Sequence, residues 1–147
     1  MFDPDSEVTR EEFVKLLTVT FAFEDNGASV AFSDVGEENW CYPYVMAARS
    51  VEMVMGQDDN SFGIGQAITR EDAAVMIQRA CEIAGKNLEQ TEKAMLYTDA
   101  ELISEYARTA VGELSKAGVL KGMEDGRFAP AASCTRAEAA VMIFRIL

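Results

Sequence analysis

Residues 135–147 read T-R-A-E-A-A-V-M-I-F-R-I-L, and residues 69–81 read T-R-E-D-A-A-V-M-I-Q-R-A-C, identical at eight of thirteen positions. Residues 9–21, T-R-E-E-F-V-K-L-L-T-V-T-F, are a looser copy. One pattern met three times in 147 residues marks a tandem repeat, in which each unit buries its apolar face against its neighbours.

Each copy carries a helix start. Thr9, Thr69 and Thr135 stand at the N-cap, and Glu12, Asp72 and Glu138 follow three residues later. In such a capping box the hydroxyl accepts from the amide at the third helical position, and the acid returns a bond to the amide of the cap. Asp72 is one methylene short for that return, so the middle cap is the weakest. Val8, Ile68 and Cys134 precede the caps, with Phe13, Ala73 and Ala139 five residues on, the spacing of a hydrophobic staple. Behind the middle cap, Val75, Met76, Ala80 and Ile83 recur at helical spacing and form one buried face. The first helix is expected over residues 10–23, and the middle one stops at Gly85, a good residue just past a helix end.

Composition bounds the function. The apolar content of 49% suits one ordinary core, and the net charge of −12, with no histidine, argues against nucleic acid as a partner. No apolar run reaches the ~20 residues of a membrane span, and the acidic start of the chain does not read as a signal peptide. The three cysteines fall in register with apolar residues: Cys81 with Phe21 and Leu147, Cys134 with Val8 and Ile68, Cys41 with Ala107. An odd count without a C-x-x-C pair reads as buried free thiols, with no metal.

In chain order the first unit is truncated, covering residues 1–31, with Phe2 and Pro4 ahead of Thr9 as Phe128 and Pro130 stand ahead of Thr135. Residues 24–27 form a polar breaker and residues 28–31 a short connector. The second unit spans residues 32–86. It opens with F-S-D-V, continues with a helix over residues 40–51 that starts within the turn holding Pro43, and reaches Gly56, thirteen residues before Thr69. A linker, either polar coil or helix, and the third unit fill residues 87–147, with Y-T-D-A at residues 97–100, Tyr106 in the register of Trp40, and Gly122 in that of Gly56. The loops ahead of the capped helices carry turn signals and room for short strands.

Helix, glycine-bounded loop and capped helix in that order resemble the S-layer homology family. Its pattern is F-x-D, W-A, G-[IV]-x-x-G, F-x-P and I-T-R-A-E before an apolar helix. The third unit matches at Asp99, Tyr106-Ala107, Gly118-Val119, Gly122, Phe128, Pro130 and residues 135–138, and the second at Phe32, Asp34, Trp40, Gly56, Phe62 and residues 69–72. The second departs at Glu52, where the pattern has glycine, and at Ile64, where it has proline. The resemblance implies a mainly α fold: tandem helix-loop-helix repeats in a pseudo-threefold bundle with short loop or hairpin prongs, here one module over residues 1–147. It implies noncovalent anchoring of a surface protein, outside the cell at the bacterial wall or S-layer, through a secondary cell-wall polysaccharide, often pyruvylated on N-acetylmannosamine. No cofactor and no catalytic activity go with it. The ligand residues selected are Arg70 and Arg136, with Arg10 weaker because its unit is truncated, together with Asp34, Trp40, Gly56, Asp99, Tyr106 and Gly122 of the same motifs.

The residues also speak to those roles directly. An arginine at the first helical position offers a bound carboxylate a planar fork beside the positive end of the helix dipole. A solvated first-turn arginine is the plainer reading of any one of them; the threefold recurrence favours a ligand role. Helical register sets Trp40 and Tyr106 in the core, although either ring also suits stacking on a sugar. A calcium loop starting at Asp58 fails, because Phe62 and Thr69 stand where oxygen ligands are needed. No nucleophile motif or phosphate loop occurs, and no carboxylate pair is singled out for catalysis. The alternative function is a self-assembly scaffold. The missing upstream half of unit one is expected to leave Val14, Leu17 and Phe21 without a partner helix, unless residues 22–31 fold back or a second chain covers them.

Overall fold

A computed structural model describes residues 3–27, 29–57, 59–91, 93 and 96–147. The expectations placed on Phe2, on Ala28 in the connector and on Asp58 of the acidic loop lie outside the described residues, as do those on three residues of the linker. The described residues form five α-helices: α1 (Arg10–Phe21), α2 (Tyr42–Ser50), α3 (Arg70–Ile83), α4 (Arg108–Lys116) and α5 (Arg136–Ile146), with short 3-10 turns at Ala100–Leu102 and Glu105–Ala107. They contain no extended strand, only isolated bridges, and the described linker residues are not helical.

The caps behave as their chemistry requires. Thr9 and Thr135 form full boxes with Glu12 and Glu138, while Thr69 accepts from the Asp72 amide. The Asp72 carboxylate bonds elsewhere, to Arg10 and to Tyr106. Its shorter side chain is thereby diverted into a contact between units. Helix α1 ends two residues before the expected position, because Ala22 turns left-handed and the Phe23 amide bonds back to the Thr18 carbonyl at 3.0 Å.

The residue before each cap ties the units together. The Val8 amide donates to the Cys134 carbonyl, Cys134 to Ile68, and Ile68 to Val8, each at 2.9 Å. This closed triangle of backbone bonds lies in the core, with Val8, Ile68 and Cys134 all buried. Around it the amides of Arg10, Arg70 and Arg136 donate to Gln66, Ala132 and Ser6, again at 2.9 Å. Helix starts that need outside acceptors therefore find them in a neighbouring unit, which gives the bundle its pseudo-threefold order.

One core holds the capped helices: α1 packs against α3 and α5, and Phe13, Leu17, Ile77, Met142 and Ile146 belong to a single buried cluster. The first helix of each later unit lies on the capped helix of the unit before it, α2 on α1 and α4 on α3. That rule corrects one expectation. Val14 and Leu17 are fully buried, because α1 is covered by α2. Among the described residues, the capped helix without such a cover is α5.

Candidate functional site

The arginines of the repeated box form a ring. Arg10 Nη1 meets Asp72 Oδ2 at 3.2 Å, Arg136 Nη1 meets Glu12 Oε2 at 3.1 Å, and Arg70 is ion-paired with Glu138. Each guanidinium thus reaches the cap acid of another unit. Arg10 Nε and Arg70 Nε also donate to the carbonyls of Phe62 and Phe128, at 3.0 and 2.8 Å, and both cations lie over those rings. The arginines differ in access: the Arg70 side chain is 9% exposed, that of Arg136 42%. Burial lowers the pKa of Arg70 from its ordinary value, opposing its charge.

An anion approaching these helix starts would meet guanidinium rather than backbone. The Arg70 and Arg136 amides are taken by neighbouring carbonyls, as are those of Glu71 and Ala137, which donate to Pro130 and Pro4 at 3.1 Å.

Asp34 and Asp99 organise the loops in front of α3 and α5. Asp34 accepts from the amides of Phe62, Gly63 and Ile64 at 2.7–3.0 Å, and Asp99 from Phe128 and Ala129 at 2.8 and 2.9 Å. Burial opposes both charges, but these amides outweigh it and hold each carboxyl below its ordinary pKa. Gly56 and Gly122 serve the same loops. Both have positive φ, and an added Cβ would fall 2.4 Å from the Phe32 ring and 2.6 Å from the Tyr97 ring. The two glycines let the aromatic of F-x-D close over the loop, where Phe32 meets Phe62 and Tyr97 meets Phe128.

Trp40 and Tyr106 depart from the expected core placement. They are 55% and 62% exposed. Both precede the helices they seemed to belong to, Trp40 in a turn and Tyr106 in a 3-10 turn, so α-helical register does not orient them. The Tyr106 hydroxyl donates to Asp72 at 2.6 Å, and burial of the hydroxyl end with the nearby carboxylates raises its pKa. Trp40 and Tyr44 flank the Lys15 ammonium, 5.7 and 5.3 Å from the ring centres.

These placements assemble two related clusters. In one, Tyr106, Asp72 and Arg10 are joined by direct bonds. In the other, Trp40, Glu12 and Arg136 line one groove of about 900 Å³ between α1 and α5. Arg70 joins neither aromatic. Sequence reasoning missed the acids: Glu12 and Asp72 read only as caps, and Glu71, buried, holds the Ser104 amide at 2.9 Å and hydroxyl at 2.7 Å. The available signal was the doubled acid of T-R-E-E and T-R-E-D, since a cap needs only one. The three thiols are buried and unpaired, burial raising the pKa of Cys134 to about 11. Among the described residues no cluster of potential metal ligands occurs, and no helix is long and apolar enough to cross a membrane.

Comparison with known proteins gives the same repeats. Residues 31–74 and 96–140, more than half of the chain, match the S-layer homology domain model. The chain is 32% identical over 146 residues to an amylopullulanase of Thermoanaerobacterium thermosulfurigenes and 32% identical over 146 residues to an endoglucanase of Bacillus sp. (strain KSM-635). It is 28% identical over 151 residues to a cellulosome-anchoring protein of Acetivibrio thermocellus. These alignments take in 99–100% of this chain but only 8%, 15% and 33% of the respective relatives.

Proposed function

The chain belongs to the S-layer homology domain family, and we propose that it is a binding module that anchors a surface protein to the bacterial cell wall by gripping a secondary wall polysaccharide. The module works outside the cell and has no catalysis of its own. The amylopullulanase and endoglucanase named above are each matched over a small part of their length, so their activities are not carried over. The cellulosome-anchoring relative is named for the role proposed here.

The observation that carries this reading is the pairing, met twice, of an exposed aromatic ring with an arginine–carboxylate pair at the start of a capped helix. A ring open on one face stacks on the apolar face of a sugar, as aromatics do at sites that are half wet. A guanidinium presents several N–H donors, and a pyruvate ketal offers it a carboxylate in the planar geometry that arginine grips with two bonds. Arg136, the more open of the pairs, is the principal contact and Arg10 the second; Arg70, Asp34, Asp99, Gly56 and Gly122 support the loops around them. A net charge of −12 repels an anionic polymer, so affinity rests on contacts shorter than the ~8 Å screening length in physiological salt.

Sedimentation with purified wall tests the reading. The chain is expected to pellet with polymer-bearing wall and to stay in solution when the polymer is stripped or its ketals are hydrolysed. Equal retention on stripped wall would overturn it. A second reading, self-association of the module, is favoured by the exposed apolar residues Phe144 and Leu147 at the end of the chain's last helix, α5. Its mark is a concentration-dependent oligomer indifferent to wall material.

A further inference from the structure

Glu71 is a buried carboxylate, 8% exposed, that forms no ion pair among the described residues. Its oxygens accept from three neutral donors: the Ser104 amide at 2.9 Å, the Ser104 hydroxyl at 2.7 Å and the Tyr106 hydroxyl at 3.3 Å. A buried charge without a counter-ion is costly, and the start of α3 does not require this one. Ala137 holds the same place in α5, and that helix begins on its threonine–glutamate box all the same. Glu11, at the same place in α1, is also buried, but both its oxygens reach one loop amide, that of Gly65. Among the described residues, only the acid of α3 is bonded to the segment that carries an exposed aromatic ring.

That segment does not hold itself. Glu105–Ala107 is a single 3-10 turn, and one isolated turn is unfavourable to form. Ser104 begins it without a side-chain cap bond, its hydroxyl being given to Glu71 instead. At the tip of the ring the Tyr106 hydroxyl donates to Asp72 at 2.6 Å, and Asp72 also takes the Arg10 guanidinium at 3.2 Å. Adjacent acids of one helix start therefore grip the turn at its head and the ring at its tip. We propose that Glu71 is a positioning residue: it fixes the turn so that the Tyr106 ring stands as a preformed platform in one cluster with Arg10. The ligand is that of the polymer reading, on which this inference rests: a sugar ring on Tyr106 with a carboxylate on Arg10. A ring ordered in advance need not be ordered by the ligand, which is worth about three- to tenfold in affinity.

The test titrates the chain with a short purified fragment of the wall polymer and reads the two clusters separately. Fluorine NMR of chain labelled with fluorotyrosine, assigned with Tyr106→Phe, reads the Tyr106 cluster. Fluorescence of Trp40, the single tryptophan of the chain, reads the other. Glu71→Ala should move the Tyr106 signal of the free chain toward that of the free amino acid. It should also weaken binding read at Tyr106 about three- to tenfold while leaving binding read at Trp40 unchanged. Glu71→Gln keeps one acceptor oxygen for Ser104 and should recover part of the loss. Unchanged affinity at Tyr106 in Glu71→Ala would overturn the proposal, as would a fragment that moves the Trp40 signal and not that of Tyr106. An equal loss at both probes would also overturn it, because Glu71 would then support the fold and not the ring. A chain in which neither probe responds to the fragment refutes the polymer reading itself, and this inference with it.

Discussion

Arg136 at the start of the last helix pairs with Glu12 in the cap of the first, 124 positions away, at 3.1 Å. The contact joins the two ends of the chain and completes a ring whose other members are Arg10 with Asp72 and Arg70 with Glu138. Each acid caps or begins its own helix while holding a cation from another unit, so local structure and assembly depend on the same carboxylates.

The ring is not uniform, and stability should show it. Arg70→Ala strands the Phe128 carbonyl and leaves Glu138 without its partner, in a nearly buried setting. A loss of about 3 kcal/mol is expected, at the low end for a buried pair that loses one member, because Glu138 keeps some contact with water. Arg136→Ala removes a pair open to solvent on both sides and should cost below about 1 kcal/mol. Urea melts of both variants check the order.

Glu52 offers a site for a stabilising change. It has φ +66° after α2, where the Met53 amide bonds back to the Ala48 carbonyl at 2.9 Å, and Gly118 makes the same left-handed turn after α4. A residue with a Cβ is strained by about 1–2 kcal/mol there, less the entropy that glycine loses on folding. Glu52→Gly should therefore raise stability by about 0.5–1 kcal/mol. Gly118→Ala should lower it by a similar amount. Thermal melts of the two variants give the sign directly.

Acid should weaken the loops before the helices. Asp34 and Asp99 have folded pKa values below the ordinary carboxylate value, despite burial that opposes the charge. An unfolded carboxyl of this kind titrates near pH ~3.9. The stability they provide is fully present above that pH and is lost as pH falls through the lower folded value. Asp99→Asn should lose about 1.5–3 kcal/mol at neutral pH, the range for hydrogen bonds to a charged group, and should flatten the acid limb of the stability curve. Denaturant melts between neutral and acid pH test both effects.

Much of this was legible in the sequence, because it is local. The caps, the end of α3, the short Asp72 and the burial of the cysteines follow from residues within a few positions of one another. The pairing of Arg10 with Asp72 was not legible, since 62 positions separate them and the acid already had a role as a cap residue. Trp40 and Tyr106 were assigned inward by a helical period that does not extend to them, as α2 starts at Tyr42 and α4 at Arg108. The bare face was sought on α1 of the first unit and lies on α5 of the third. Its place depends on which helix covers which, and repeats in register do not disclose that.

Titration of the chain with a purified pyruvylated fragment of the wall polymer, followed by calorimetry, tests the central claim most directly. Arg136→Ala and Trp40→Ala should each weaken binding by about 1–3 kcal/mol, as expected for a charge-assisted bond and a stacked ring, with melts close to that of the parent. Arg136→Lys should recover only part, lacking the two parallel bonds. Unchanged affinity in both alanine variants, with the parent binding the fragment, would contradict the claim and leave the arginine ring a purely structural device.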